Sequence, residues 1–267
     1  MPVQLSDVPE FIEPNYSSWD GATHGPVPRP DWVIPDLAAI DTELGVLKTG
    51  KEADVHLVRR TAPDGRESIL AAKRFRTAEH RMFHRDAGYT EGRRVRRSRE
   101  TRAMAHRTTY GRELLAAQWA AAEFAALSRL WQAGAPVPYP VQLAGTEVML
   151  EFLGTPDGVA APRLAQCRPG AAELADLFEQ CVAAMRLLAR AGLAHGDLSP
   201  YNLLVHDGRL VLIDLPQVVD LIANPQGAEY LRRDCQNVCA WFMRRGLVSA
   251  EFEYLFGDLM AEAVAAW

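Results

Sequence analysis

The stretch HGDLSPYNLLVHDGRLVLID at residues 195–214 decides the fold of this chain. Its two apolar runs, LLV and LVLI, flank an Asp-Gly pair, and this pattern predicts a β-hairpin with a tight turn. The hairpin would bring Asp197, Asn202 and Asp214 to one end. Two carboxylates and an amide would then face the same space.

These three side chains offer the hard oxygen ligands that suit Mg²⁺, which keeps several waters and is held by one or two protein groups plus substrate phosphates. The remaining carboxylate, Asp197, could orient or deprotonate a nucleophile. Asp and Asn are common turn residues, so none of the three is informative alone. In this order and spacing, however, they resemble the catalytic loop and the metal-binding loop of kinases, with glycine where arginine is usual.

A site of that kind also needs a loop that binds phosphate and a lysine beside it. An alternating apolar pattern begins at Ala53, passes a Pro-Asp-Gly turn and returns in an apolar run that ends at Phe75, which predicts a second hairpin. Gly50 precedes the first strand and would let backbone N–H groups approach a phosphate. Lys73 lies on the second strand, where the lysine of such a site belongs.

The helical pattern over 113–132 supplies the acidic partner of that lysine. Glu123 lies on the same helix face as Trp119 and Leu127. A carboxylate on an apolar face is costly unless it is paired. We predict Lys73 as the partner, and Arg129 is the alternative.

The charge of the chain is unevenly distributed. The net charge is −5 over 267 residues, yet residues 80–112 hold ten arginines and three acidic residues, a local charge of +7 that leaves −12 for the rest. Only three of the 29 basic residues are lysines: Lys48, Lys51 and Lys73. Lysine meets phosphate as a compact point charge, whereas arginine is a planar fork. Positions that keep lysine in this chain are therefore candidate phosphate contacts.

The composition excludes several classes of protein. With 48% hydrophobic and 24% charged residues, the chain has enough apolar material for a core and is neither disordered nor fibrous. No apolar run approaches the roughly 18–20 residues that span a bilayer, and the sequence after Met1 lacks the pattern of a signal peptide. We therefore predict a cytoplasmic protein without membrane contact.

The remaining patterns predict two lobes of an α+β fold. An apolar strand over 148–153 runs into Gly154, the expected hinge between them. The expected division is a loosely ordered, proline-rich arm over 1–40, an N-lobe over 41–153 with a mostly antiparallel sheet and one long helix, and a truncated, mainly helical C-lobe over 154–267 with helices over 171–191, 229–245 and 251–266.

Five motifs together resemble the RIO family of atypical serine/threonine kinases. They are TGKEADV at 49–55, WAAAE at 119–123, HGDLSPYN at 195–202, IDLPQ at 213–217 and YLRRDCQNV at 230–238. The resemblance covers roughly residues 44–247 and is closest to the subfamily whose loop reads S-T-G-K-E-A and which lacks a winged-helix domain. It implies a bilobal kinase-like fold that binds ATP with Mg²⁺ or Mn²⁺.

The resemblance also implies roles for individual residues. Asp197 would be the catalytic aspartate, Lys73 would contact the phosphates and pair with Glu123, and Asn202 and Asp214 would hold the metal. The nucleotide would be bound by Gly50, Lys51, Glu52, Ala53, Asp54 and Val55 over its phosphates and by Glu151, Phe152 and Leu153 at the adenine. Two positions depart from parts of the family: Lys48 replaces the usual serine, and Leu215-Pro216 follow the metal aspartate.

The sequence also bears on the kind of kinase. Only 53 residues follow Asp214 here, too few for the activation segment and helices of a peptide-docking kinase, so a conventional peptide groove is not expected. The resemblance implies an ATPase that autophosphorylates and acts as a nucleotide switch in ribosome-related assembly. The candidate phosphoacceptors are Thr90, Ser98, Thr101, Thr108, Thr109 and Asp214.

Two other functions stay open at this point. One is a small-molecule phosphotransferase of the aminoglycoside or choline kinase kind, which also uses His-Gly-Asp. The other is a non-catalytic assembly factor that binds ribosomal RNA through the arginine-rich residues 80–112, since cationic segments gain affinity by counterion release. No aromatic pattern interleaves those arginines, so sequence-specific reading of nucleic acid, DNA included, is not expected.

Overall fold

A computed structural model describes residues 15–76, 109–215 and 218–265. In its N-terminal half, six strands form an antiparallel sheet in the spatial order β1-β5-β6-β4-β3-β2, and one long helix, α1 (Thr109–Gln132), lies beside it. The strands are β1 (Thr23–His24), β2 (Ile40–Thr49), β3 (Ala53–Thr61), β4 (Glu67–Phe75), β5 (Pro140–Ala144) and β6 (Glu147–Glu151).

The sheet is apolar on both faces, and each face has its own cover. In β4 the side chains alternate, so Leu70 and Ala72 project from one face while Lys73 and Phe75 project from the other. Phe75 packs with Ala116, Ala120 and Phe124 of α1. Further along α1, Leu127 and Leu130 enter the core of the C-terminal half. The helix therefore joins the two halves, and Glu123 lies at the transition.

Much of the segment for which composition favours a loose arm is packed on the sheet. Trp19 and Val33 are buried against Leu70 and Ala72 on the face opposite α1. The β1 strand pairs with β5, and residues 15–17 form backbone hydrogen bonds with residues 39–41. The segment is ordered because the sheet has a second apolar face. The free energy gained by burying this face is larger than the cost of the conformational entropy lost by a proline-rich segment. The division into domains proposed from the sequence stays a prediction.

The C-terminal half is mainly helical. A short 3₁₀ turn (Leu164–Gln166) precedes α2 (Ala171–Arg190), β7 (Leu193–Ala194), β8 (Leu203–His206), β9 (Arg209–Leu212), β10 (Val219–Asp220), α3 (Gly227–Met243) and α4 (Phe252–Ala265). The β8–β9 hairpin has the predicted Asp-Gly turn, in which Asp207 adopts a φ of 49°. Buried residues of the three helices and this hairpin form one core. Leu198 of the loop between β7 and β8 is part of this core.

The structure confirms the α+β, bilobal kinase-like architecture and shifts some boundaries. Helix α1 begins at Thr109 rather than at 113. Residues 80–108 of the arginine-rich segment lie outside the described residues, and they include the candidate phosphoacceptors Thr90, Ser98, Thr101 and Thr108. The β6 strand ends at Glu151 because the next residues turn away: Leu153 C=O accepts the N–H of Ala161. Within the described chain, no helix is both long and apolar enough to cross a membrane.

Candidate active site

An ammonium group held by two carboxylates lies between the two halves of the molecule. Lys73 Nζ is 2.8 Å from Glu123 Oε1 and 2.7 Å from Asp214 Oδ1. The Lys73–Glu123 pair is the one expected from the sequence, and Arg129 instead donates to the carbonyl of Ala191. Glu123 Oε1 also accepts the N–H of Leu215 at 3.2 Å. A single carboxylate on α1 thus binds both the sheet and the segment after β9.

Burial and charge act in opposite directions on these three groups. Burial alone would lower the pKa of Lys73, but the carboxylates of Glu123 and Asp214 outweigh it and raise the pKa above its ordinary value. Burial would raise the pKa of Asp214, yet Lys73, Lys48 and His195 lower it, so Asp214 is ionised at neutral pH. Burial raises the pKa of Glu123 above its ordinary value, although the positive charge of Lys73 acts to lower it. Glu123 Oε2 is buried without a hydrogen-bond partner among the described residues.

The β7–β8 loop brings Asp197 and Asn202 to the same cleft. Asn202 Nδ2 donates to the carbonyl of Asp197 at 2.9 Å, which closes the loop on itself. The carbonyl of Asn202 accepts the N–H of Ile213 at 3.0 Å, and His195 Nε2 donates to the carbonyl of Ile213 at 3.0 Å. Because Asp214 follows Ile213, these bonds fix both aspartates to one end of the hairpin. Asp214 has a φ of 67°, a conformation that Asp and Asn tolerate better than other side chains.

A buried carboxylate on α3 holds the backbone of that loop. Asp234 is 1% exposed, and its two oxygens accept the N–H groups of Gly196 at 2.8 Å and Leu198 at 2.7 Å. Asn237, one turn further, donates to the carbonyl of Leu198 at 3.0 Å. Asp234 therefore fixes the backbone on both sides of Asp197. The motif at 230–238 contains Asp234, but no role is assigned to it from the sequence. Its position on an apolar helix face, between Leu231 and Val238, is the same kind of signal that indicates a buried partner for Glu123.

We expect Asp234→Asn to lower the free energy of unfolding by about 2–3 kcal/mol, because one of two buried N–H groups loses its acceptor and meets an NH₂ donor instead. Denaturant unfolding of the two proteins measures the difference. Asp258→Asn is the matched control, since Asp258 forms a partly exposed ion pair with Arg186 on neighbouring helices and should cost no more than about 1 kcal/mol. Equal losses for the two variants would contradict the positioning role of Asp234.

The turn between β2 and β3 begins with a close approach of two backbone segments. Gly50 N–H donates to the carbonyl of Ala53 at 3.0 Å, and a Cβ at Gly50 would lie 2.7 Å from that oxygen. Lys51 in this turn is exposed. Burial raises the pKa of Glu52, and the negative charges of Asp214 and other acidic groups of the cleft add to it. Ala53, at the end of this turn, lies opposite Phe75, two residues from Lys73 in β4, so the turn borders the same cleft as the aspartates.

Two of the expected nucleotide-binding residues have their side chains engaged elsewhere. Asp54 alternates with Val55 along β3, so its side chain projects from the opposite face, where it forms two hydrogen bonds of 2.5 and 2.7 Å with Arg76. At the hinge, Glu151 is joined to Tyr139 twice, since its N–H donates to the Tyr139 carbonyl and its Oε2 accepts the Tyr139 N–H. The side chains of Asp54 and Glu151 are therefore already bonded within the protein.

The donor set fits a divalent cation that is held mainly by substrate phosphates. The described residues contain no group of three or more His, Cys, Asp or Glu side chains arranged to hold a metal ion. The cleft instead offers Asp214 and the carboxamide oxygen of Asn202, whose amide nitrogen is already bonded to Asp197. One carboxylate and one amide oxygen are the small protein contribution that Mg²⁺ commonly takes in phosphate-binding sites.

Comparisons with known proteins agree with this geometry. A family model described as a RIO domain matches residues 61–255, well over half of the chain. The chain belongs to the RIO family. It is 34% identical over 260 residues to the RIO-type serine/threonine-protein kinase Rio1 of Haloferax volcanii, an alignment that covers 96% of this chain and 81% of that protein.

Animal RIO proteins are similar over a smaller share of their length. The chain is 34% identical over 230 residues to serine/threonine-protein kinase RIO1 of Caenorhabditis elegans, covering 81% of this chain and 41% of that protein. It is 32% identical over 219 residues to RIO3 of Bos taurus, covering 79% and 40%. The family resemblance read from the motifs is confirmed, and these relatives are named serine/threonine kinases. The subfamily and the roles of individual residues stay predictions.

Proposed function

We propose that this chain is a RIO-type serine/threonine kinase with ATPase activity, which binds ATP between its lobes and transfers the terminal phosphoryl group to an acceptor on the protein itself. The observation that carries the proposal is the double contact of Lys73 with Glu123 and Asp214 at 2.8 and 2.7 Å. A buried lysine fixed by a helix acid, next to the acid that ends a hairpin, is the arrangement in which kinases orient ATP phosphates.

Each residue of the cleft has a task in this proposal. Lys73 would bind the inner phosphates, and Glu123 would keep its ammonium in place. Asn202 and Asp214 would hold Mg²⁺ or Mn²⁺, which, when bound, neutralises charge on the phosphates. Asp197 would accept the proton of the attacking hydroxyl as the bond from the terminal phosphorus to that oxygen forms, the bond to the ADP oxygen breaks, and ADP leaves.

The strongly basic residues 80–112 support a second element of the proposal. A local charge of +7 favours a polyanionic partner, and binding by counterion release would weaken steeply with salt. We assign this segment to an RNA-containing partner, in keeping with the ribosome-related role that the family resemblance implies. RNA binding measured over a series of salt concentrations tests it, and an affinity independent of salt would contradict it.

The test of the enzymatic proposal is incubation of the purified chain with γ-labelled ATP and Mg²⁺. The expected result is label in the protein together with release of labelled phosphate. Label that leaves ATP only when an amino alcohol or a sugar is added would indicate a small-molecule phosphotransferase instead. RNA binding without any turnover would indicate a non-catalytic assembly factor.

A further inference from the structure

The register of the sheet places a second lysine on the face that carries Lys73. Lys48 in β2 lies opposite Val55 in β3, and Val55 lies opposite Lys73 in β4. Directly opposed residues of antiparallel strands project from the same face. Lys48 therefore shares the face on which Glu123 and Asp214 meet Lys73. Two strand spacings, about 9–10 Å, separate the backbones of the two lysines.

The pairing of β2 with β3 is irregular between Glu43 and Gly45 and again between Val46 and Lys48, and the second irregularity sets which residue Lys48 opposes. Val46 is opposite His56 and Lys48 is opposite Val55, so β2 has one more residue than β3 over this interval. Without this bulge, Leu47 would oppose Val55 and Lys48 would project from the other face. Bulges beside functional sites commonly redirect a side chain in this way. Here the extra residue places a cation at the cleft where the regular register would place an apolar side chain.

Electrostatics agree with that placement. Partial desolvation lowers the pKa of Lys48, which is an exposed residue, while the charge of Asp214 raises it and that of Arg163 lowers it further. Arg163 belongs to the C-terminal half, where it forms a β-bridge with Leu204 of β8. Lys48 also lowers the pKa of Asp214, which places the two side chains within electrostatic reach of each other. Lys73 is bound to two carboxylates, whereas the ion pairs formed within the described residues do not include Lys48.

The order of the strands indicates which part of a nucleotide Lys48 would meet. The proposed adenine site follows β6, Lys73 lies on the neighbouring β4, and Lys48 lies on β2 at the edge of the sheet. A nucleotide whose base lies at the hinge and whose inner phosphates lie at Lys73 would extend its last phosphate toward β2.

We propose that Lys48 is a specificity-determining residue that binds the terminal phosphate of a nucleoside triphosphate. This inference rests on the proposed function, because it requires that the cleft hold a nucleotide. A compact ammonium on an otherwise arginine-rich chain suits a single phosphate group. The consequence is selectivity for ATP over ADP at the binding step, before any phosphoryl transfer.

The test compares the affinities of ATP and ADP, each with Mg²⁺, for the wild-type chain and for Lys48→Ser, which removes the charge and leaves a small polar side chain. Loss of one charge-assisted contact should weaken ATP binding roughly tenfold or more and ADP binding less than about threefold. Lys48→Arg should retain part of the selectivity because it keeps the charge. Arg66→Ser is the control for net charge, since Arg66 is exposed in the turn at the far end of the β3–β4 hairpin.

The outcomes separate this inference from the proposal on which it rests. A wild-type chain that binds ATP, with a Lys48→Ser variant that binds ATP and ADP in the wild-type ratio, would overturn the role of Lys48 and leave the kinase proposal standing. A wild-type chain that binds neither nucleotide would overturn both. An equal effect of Lys48→Ser and Arg66→Ser would show that only net charge matters and would also overturn the inference.

Discussion

Replacing Lys73 with methionine is expected to lower the free energy of unfolding by about 3–5 kcal/mol and to abolish phosphoryl transfer. Glu123 is 1% exposed and would lose its cation, so that an ionised carboxylate would stay in the interior uncompensated. Its protonation would relieve part of the cost, in the direction in which burial already raises the pKa of Glu123. Denaturant unfolding at neutral pH measures the stability change, and transfer from labelled ATP measures the activity.

A second substitution separates stability from function. In Lys73→Met/Glu123→Gln the buried charge is gone, while the glutamine oxygen can still accept the N–H of Leu215. We expect the double variant to be roughly 2 kcal/mol more stable than Lys73→Met, because a buried ion pair contributes little net stability once both charges are removed. Phosphoryl transfer should stay absent, since Lys73, the cation proposed to bind the phosphates, is missing in both variants.

The neighbouring cation on the same strand is the control. Arg74 projects from the opposite face and pairs with Glu43 and Glu147 at a partly exposed position, so Arg74→Met should cost no more than about 1 kcal/mol. If Lys73→Met and Arg74→Met were equally destabilising, the buried pair would not be the dominant energetic feature of the cleft. A double variant no more stable than Lys73→Met would contradict the argument from uncompensated charge.

The pairing of Lys73 with Glu123 could be predicted from sequence because two strong rules converge on it. A hairpin register fixes which strand residue faces the helix, and a carboxylate in an apolar helix stripe demands a cation. The β8–β9 hairpin was predictable for a similar reason, since its Asp-Gly turn and apolar runs leave little freedom of register. Local rules of this kind indicate that Asp197, Asn202 and Asp214 lie at one end of this hairpin.

Other features depend on contacts that no local pattern encodes. The packing of Trp19 on the sheet requires knowing that the second face of β4 is apolar and otherwise open, which is a property of the assembled sheet. The residue that Lys48 opposes depends on two irregularities in β2, and each one-residue change of register moves the following side chains to the other face. Asp234 acquires its role only from the loop that packs above it.

Asp197→Asn is expected to lower the rate of phosphoryl transfer by roughly 10²–10⁴-fold, the usual contribution of a general base. Nucleotide affinity should change by less than about threefold, because Asp197 is not among the groups proposed to hold the phosphates or the metal. Asparagine keeps the backbone carbonyl that accepts the Asn202 amide at 2.9 Å, so the loop should keep its conformation. Single-turnover transfer from labelled ATP and equilibrium nucleotide binding provide the two measurements.

Asp207→Asn makes this prediction specific to one end of the hairpin. Asp207 is an exposed aspartate of the β8–β9 turn with a φ of 49°, which asparagine adopts readily, so the substitution removes the same charge from the same hairpin without strain. Its transfer rate should stay within about twofold of the wild type, because salt screens the effect of a surface charge that is distant from the reaction centre. Comparable losses in both variants would mean that Asp197 acts through the charge of the hairpin, and an Asp197→Asn protein with wild-type transfer would exclude Asp197 as the base. A rate loss confined to Asp197→Asn, with binding intact, requires a carboxylate at the reacting hydroxyl, which the bonds from Asn202 and Asp234 hold in place.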